Sequence, residues 1–133
     1  MTRTTMALTV VLAATFALLV FGSPALAREG DVLVRGACSA RSAVKLKLSE
    51  ESGRIGIDAE VDQNRNGVPW TVTLTRAGMR VARAVRVTRP PSGSLEFRKL
   101  VANGVGPDVV RVVAIRRGER CTARASLGCL TRW

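Results

Sequence analysis

From Asp31 onward the chain alternates apolar and polar positions with period two, and turn residues interrupt the alternation at short intervals. Ser42 to Ser49 reads SAVKLKLS, with Val44, Leu46 and Leu48 on one side and Lys45 and Lys47 on the other. Arg54 to Asp62 reads RIGIDAEVD and sets Ile55, Ile57, Ala59 and Val61 against Asp58, Glu60 and Asp62. Successive side chains of a strand point to opposite faces, so each segment predicts a strand with one face in a core and one in water. Ser52-Gly53 closes a hairpin between the two, and parity then puts Lys45 opposite Asp58. Trp70 to Thr75 alternates again, with Trp70, Val72 and Leu74 directed to the core and three threonines to the surface. Turn signals at Ala77-Gly78, Pro90 to Gly93, Asn103 to Pro107 and Arg117-Gly118 delimit MRVARAVRV, SLEFRKLV, DVVRVVAIR and Cys121 to Ala125. The valines of MRVARAVRV and its lack of caps favour a strand over a helix. The pattern therefore predicts an all-β protein, an immunoglobulin-like β-sandwich of seven or eight short antiparallel strands, with Trp70 heading the strand in the C position.

Ahead of this region the pattern is of another kind. Arg3 is followed by an apolar run from Ala7 to Phe21, a break at Gly22 to Pro24, and Ala25-Leu26-Ala27. That is the form of a secretory signal peptide over residues 1–27, cleaved after Ala27. The run falls short of the ~20 apolar residues that span a bilayer, so no stable membrane span is expected after cleavage. The product is expected to be secreted, either extracellular or in the cell wall, with a sandwich domain over 28–125 and a tail over 126–133. Three cysteines in an exported chain leave one disulfide and one odd thiol. Cys38 and Cys121 bracket the patterned region and are expected to pair; a Cys121 to Cys129 bridge is the alternative. Cys129 is then a free thiol, a thiol buried beneath Leu130 and Trp133, or the link in a disulfide-bonded dimer.

The run KLKLSxxxGRIxIxxEVDQNRNGxxWxVxL, then TRxPSGSLEF, NGxGPDxVRVxA and GERC, resembles a group of small exported proteins from GC-rich Gram-positive bacteria. The likeness spans Cys38 to Ala125. It implies export, an immunoglobulin-like sandwich and a disulfide between the positions of Cys38 and Cys121, and it brings no active site. Cys129 and the residues after it depart from the pattern.

Charge adds the one functional lead. The chain carries +11, and +10 once a leader containing only Arg3 is removed, a balance suited to anionic polymers. Because 18 of the 21 basic residues are Arg, GC-rich coding is a competing origin of the excess. Arg80, Arg83, Arg86 and Arg89 recur every third residue, and Arg98, Lys99, Arg116, Arg117, Arg120 and Arg124 crowd the C-terminal half. The polyanion-binding candidates are Arg80, Arg83, Arg86, Arg89, Arg98, Arg116, Arg117 and Arg120, since the planar guanidinium fork grips two oxygens of phosphate or sulfate at once. A spacing of three on a strand scatters side chains over both faces, so a continuous patch is not guaranteed. With Phe97 and Trp70 assigned to the core, aromatics for base stacking are missing and specific nucleic-acid binding is disfavoured.

Catalytic motifs do not assemble. Histidine is absent, which removes Ser-His and Cys-His activation together with the commonest zinc ligand. Asp62-x-Asn64-x-Asn66-Gly67 copies half of a calcium loop, but its twelfth position is Thr73 and a strand precedes it; Asn66-Gly67 is read as a turn. Ser42-x-x-Lys45 sits on a strand, where an odd spacing sends the two side chains to opposite faces. Asp58, Glu60 and Asp62 share a face close enough for paired acid catalysts, yet cross-strand ion pairs with lysines explain them better. No cofactor or metal is expected. The chain reads as a non-enzymatic binding or structural module for an anionic polymer or surface partner, with an extracellular inhibitor or ligand-carrier sandwich as the alternative.

Overall fold

The computed structural model describes residues 30–103 and 108–127. The leader of residues 1–27, the centre of the Asn103 to Pro107 turn, and Cys129 with its neighbours lie outside the described residues. Among the described residues there are nine strands: β1 (Val32–Arg35), β2 (Ala37–Cys38), β3 (Ala43–Glu51), β4 (Arg54–Asp62), β5 (Pro69–Arg76), β6 (Met79–Val87), β7 (Ser94–Ala102), β8 (Asp108–Arg116) and β9 (Glu119–Leu127). They form two antiparallel sheets, one ordered β1-β3-β4-β7 and the other β2-β9-β8-β5-β6. Among the described residues there is no helix, hence none long and apolar enough to cross a membrane.

The inward halves of the alternating patterns meet between the sheets. Val44, Leu46 and Leu48 of β3 and Ile55, Ile57, Ala59 and Val61 of β4 face Trp70, Val72 and Leu74 of β5, with Val110, Val112 and Ala114 of β8, all buried. Trp70 has no exposed surface, and its indole N–H donates to Gln63 Oε1 at 2.9 Å. A buried Trp keeps its apolar area in the core only when that donor finds an acceptor.

Three expectations need correction. The strand count is nine rather than seven or eight, because one segment serves both sheets: β1 pairs with β3, and β2 pairs with β9. The switch falls at Gly36, where an added Cβ would stand 2.0 Å from the Thr122 carbonyl oxygen and 2.7 Å from Ala123 Cβ. Only a residue without a side chain lets the backbone pass there. With β1 and β2 counted as one strand that changes sheets, strand order also differs from the immunoglobulin arrangement, in which the second and third strands lie in opposite sheets; here the next two strands, β3 and β4, are a hairpin within one sheet. Within that hairpin the turn occupies only Ser52 and Gly53, both at positive φ (52° and 78°), so Glu51 pairs with Arg54. Lys45 consequently faces Glu60, and Lys47 faces Asp58.

Cys38 and Cys121 are directly opposite on β2 and β9 and form the expected disulfide, with Cα atoms 4.0 Å apart and a sequence separation of 83. The disulfide-linked dimer is thereby corrected: the cysteines in the described residues are paired within one chain.

Candidate polyanion interface

Antiparallel register arranges the outward side chains of the five-stranded sheet in rows that cross the strands. In the first row Thr71 lies between Val85 and Ile115, and Ile115 pairs with Arg120. In the second, Thr73 lies between Arg83 and Val113, and Thr122 and Ala37 follow. The third holds Arg80, Thr75, Arg111 and Arg124 in succession. Arg80 reaches this face through a register shift between Leu74 and Thr75: Leu74 pairs with Ala82 but Thr75 pairs with Arg80. The extra residue, Val81, packs inward together with Ala82. A bulge of this kind re-aims the side chain beside it, and here it turns Arg80 to the side of Arg83.

The resulting face carries Arg80, Arg83, Arg111, Arg120 and Arg124, all exposed, and no carboxylate. Among the described residues none of the five forms an ion pair. The outward face of the four-stranded sheet is different. There Arg35, Lys45, Lys47, Arg54 and Arg98 intermingle with Glu51, Asp58, Glu60, Asp62 and Glu96. Lys45 meets Glu60 at 3.6 Å, Lys47 meets Asp31 at 3.3 Å, and Arg98 meets Asp58 at 3.4 Å and Glu96 at 4.0 Å. Burial, with Glu96 alongside, pushes the Asp58 carboxyl up to about 6 against the pull of Arg98.

Of the eight arginines expected to bind polyanion, the structure gathers Arg80, Arg83 and Arg120. Arg86 turns to the other side of β6, its guanidinium 4.9 Å from the Phe97 ring centroid. Arg89 lies past the end of β6 and bridges to Ser94, and Arg117 is in the β8–β9 turn. Arg98 is held by acids of its own four-stranded sheet, and Arg116 by Glu119 at 3.2 Å and the Trp70 ring at 5.5 Å. Arg35 and Arg111 were missed by density alone. Arg111 is legible from parity within β8, where Val110, Val112 and Ala114 point inward.

An open groove runs along the third row. Arg35, Gly36 and Ala37 line one end, Arg111, Arg124 and Thr122 the middle, and Thr75 and Gly78 the other end, with no acidic residue among them. The Gly36 switch brings Arg35, whose register belongs to the four-stranded sheet, to this groove.

A second polar cluster lies at the disulfide. Glu119, only 4 % exposed, accepts bonds from the Ser42 amide at 3.0 Å, the Ser42 hydroxyl at 2.6 Å and Arg116 Nε at 3.2 Å. Burial alone would raise its carboxyl; the Ser42 bonds and Arg116 outweigh it and hold the group below its ordinary 4.5. Cys38, Cys121 and Glu119 place their ligand-type atoms within 4.8 Å of one another. Both sulfurs are in the disulfide and both carboxylate oxygens are engaged, so the cluster is a fastening of the β2–β3 loop onto β9. Ser42 is thereby separated from Lys45, which points outward to Glu60.

The half calcium loop is likewise a fastening. Asp62 Oδ1 accepts the Asn64 amide at 3.1 Å, and positive φ falls at Asn64 and Gly67 rather than at Asn66. Buried Thr88 donates its hydroxyl to the Arg65 carbonyl at 2.6 Å and accepts the Val68 amide at 2.9 Å. No family model, curated protein or solved structure matches this chain.

Proposed function

We propose that the protein is an exported, non-enzymatic β-sandwich that binds an anionic polymer at the cell surface through the outward face of its five-stranded sheet. The observation that carries this reading is the segregation of charge: five arginines without a carboxylate on one face, five bases balanced by five acids on the other. A merely compositional excess of Arg spreads over both faces. Clustered cations that repel one another in the free protein gain a partner on meeting a polyanion. Export rests on the form of residues 1–27 and agrees with the intrachain disulfide. The carrier alternative lacks a comparable support, since Trp70, Leu46, Leu48 and Leu74 fill the space between the sheets.

Retention on immobilised heparin tests the reading. The protein is expected to stay bound in 0.15 M salt, where diffuse long-range attraction is screened beyond ~8 Å. Replacing Arg83, Arg111, Arg120 and Arg124 together by Ser should abolish retention, whereas replacing Lys45, Lys47, Arg54 and Arg98 should cost far less. Equal losses from the two sets would overturn the assignment to this face.

A further inference from the structure

Taking the polyanion reading as its premise, the geometry points to a narrower assignment: a linear phosphate-ester or sulfate-ester chain lies across the strands, along the row Arg80, Thr75, Arg111 and Arg124, toward Arg35. Neighbouring strands are ~4.8 Å apart, so the row extends for ~14 Å from Arg80 to Arg124. The groove follows the same course from Thr75 to Arg35, which gives the chain a seat rather than a flat contact. Along β6, by contrast, Arg83 faces outward and Arg86 turns to Phe97, so its regularly spaced arginines do not continue as a track down that strand.

Two features of the row select the oxyanion. Arg111 and Arg124 are direct cross-strand partners without an acid beside them, a juxtaposition that disfavours the free sheet and is relieved by an anion between them. Thr75 pairs with Arg80 on one side and Arg111 on the other, placing a hydroxyl between two guanidinium forks. A carboxylate presents its two oxygens in one plane and pairs bidentately with one fork at a time. A tetrahedral phosphoryl or sulfuryl group directs its oxygens out of a single plane and can engage a fork on each side together with the hydroxyl.

The test uses the full chain as exported, inorganic polyphosphate of graded length, dextran sulfate and polyglutamate, with binding measured by titration at 0.15 M salt. Arg111→Ser with Arg124→Ser should weaken polyphosphate binding at least tenfold, while Arg83→Ser with Arg120→Ser, the same charge lost from the same face, should weaken it about threefold. Arg111→Lys with Arg124→Lys should restore only part of the loss, because Lys keeps the charge without the fork. Affinity should rise with polyphosphate length until the chain covers the row. If the two Ser pairs lose binding equally, the face binds diffusely and the row is overturned while the broader reading stands. If polyglutamate binds as tightly as the phosphate and sulfate polymers, the ester class is overturned. If no polymer binds, the broader reading falls first.

Discussion

Glu119 and Asp58 are both carboxylates on a basic chain, yet their surroundings move their proton affinities in opposite directions. Glu119 is held below 4.5, so the unfolded chain binds its proton more readily than the native state. Its contribution to stability is complete above the unfolded value and is lost as pH falls through the lowered one. Asp58 is raised to about 6, so it favours the native state in acid and loses that contribution as pH rises through about 6. Chemical denaturation of Glu119→Gln should show a loss of about 1 to 3 kcal/mol at pH 7, from unmaking buried bonds to Ser42 and Arg116, that shrinks by pH 3. Asp58→Asn should gain on the wild type between pH 4 and pH 7. Opposite trends would mean that these side-chain environments are misassigned. Neither shift is visible in sequence order: Ser42 and Glu119 are 77 residues apart, and Asp58 meets Glu96 only because β7 pairs with β4. The same holds for the candidate polyanion interface. Arg80, Arg83 and Arg120 are legible as basic density, whereas Arg35 and Arg111 acquire their place from register.

At the scale of elements, alternation carried β3, β4 and β5, because a strand half in water and half in a core writes its two faces into the sequence. MRVARAVRV matches β6 end to end, but the bulge at Val81 has no mark in the letters, since it answers to Leu74 and Thr75 on the partner strand. β1 and β2, at four and two residues, are too short for a periodic signal and exist through β3 and β9. The hairpin register was misplaced by two residues because both turn positions accept positive φ, which tightens the connection to Ser52 and Gly53 alone. Gly36 links these elements to the groove. Gly36→Ala forces a methyl against the Thr122 backbone, and overpacking of this kind typically costs about 1 to 3 kcal/mol. A drop in the urea midpoint is expected, accompanied by weaker polyphosphate binding as Arg35 shifts. An unchanged midpoint would show that the sheet switch tolerates a side chain.

For the whole molecule, the two sheets differ in charge more than in architecture. Association with a polyanion should therefore be fast at low salt and slow steeply as ionic strength rises, while dissociation, governed by contacts in the row, changes less. Stopped-flow mixing with polyphosphate at several salt concentrations separates the two rates, and an association rate indifferent to salt would remove the role given to the arginine face. The charge asymmetry also has an orientational effect. With cations gathered on one side and a compensated surface on the other, the sandwich has an electric dipole directed across its sheets. In the field of an extended polyanion it would rotate before it touches, so that most encounters begin with the arginine rows already turned toward the polymer and the balanced sheet turned to solvent.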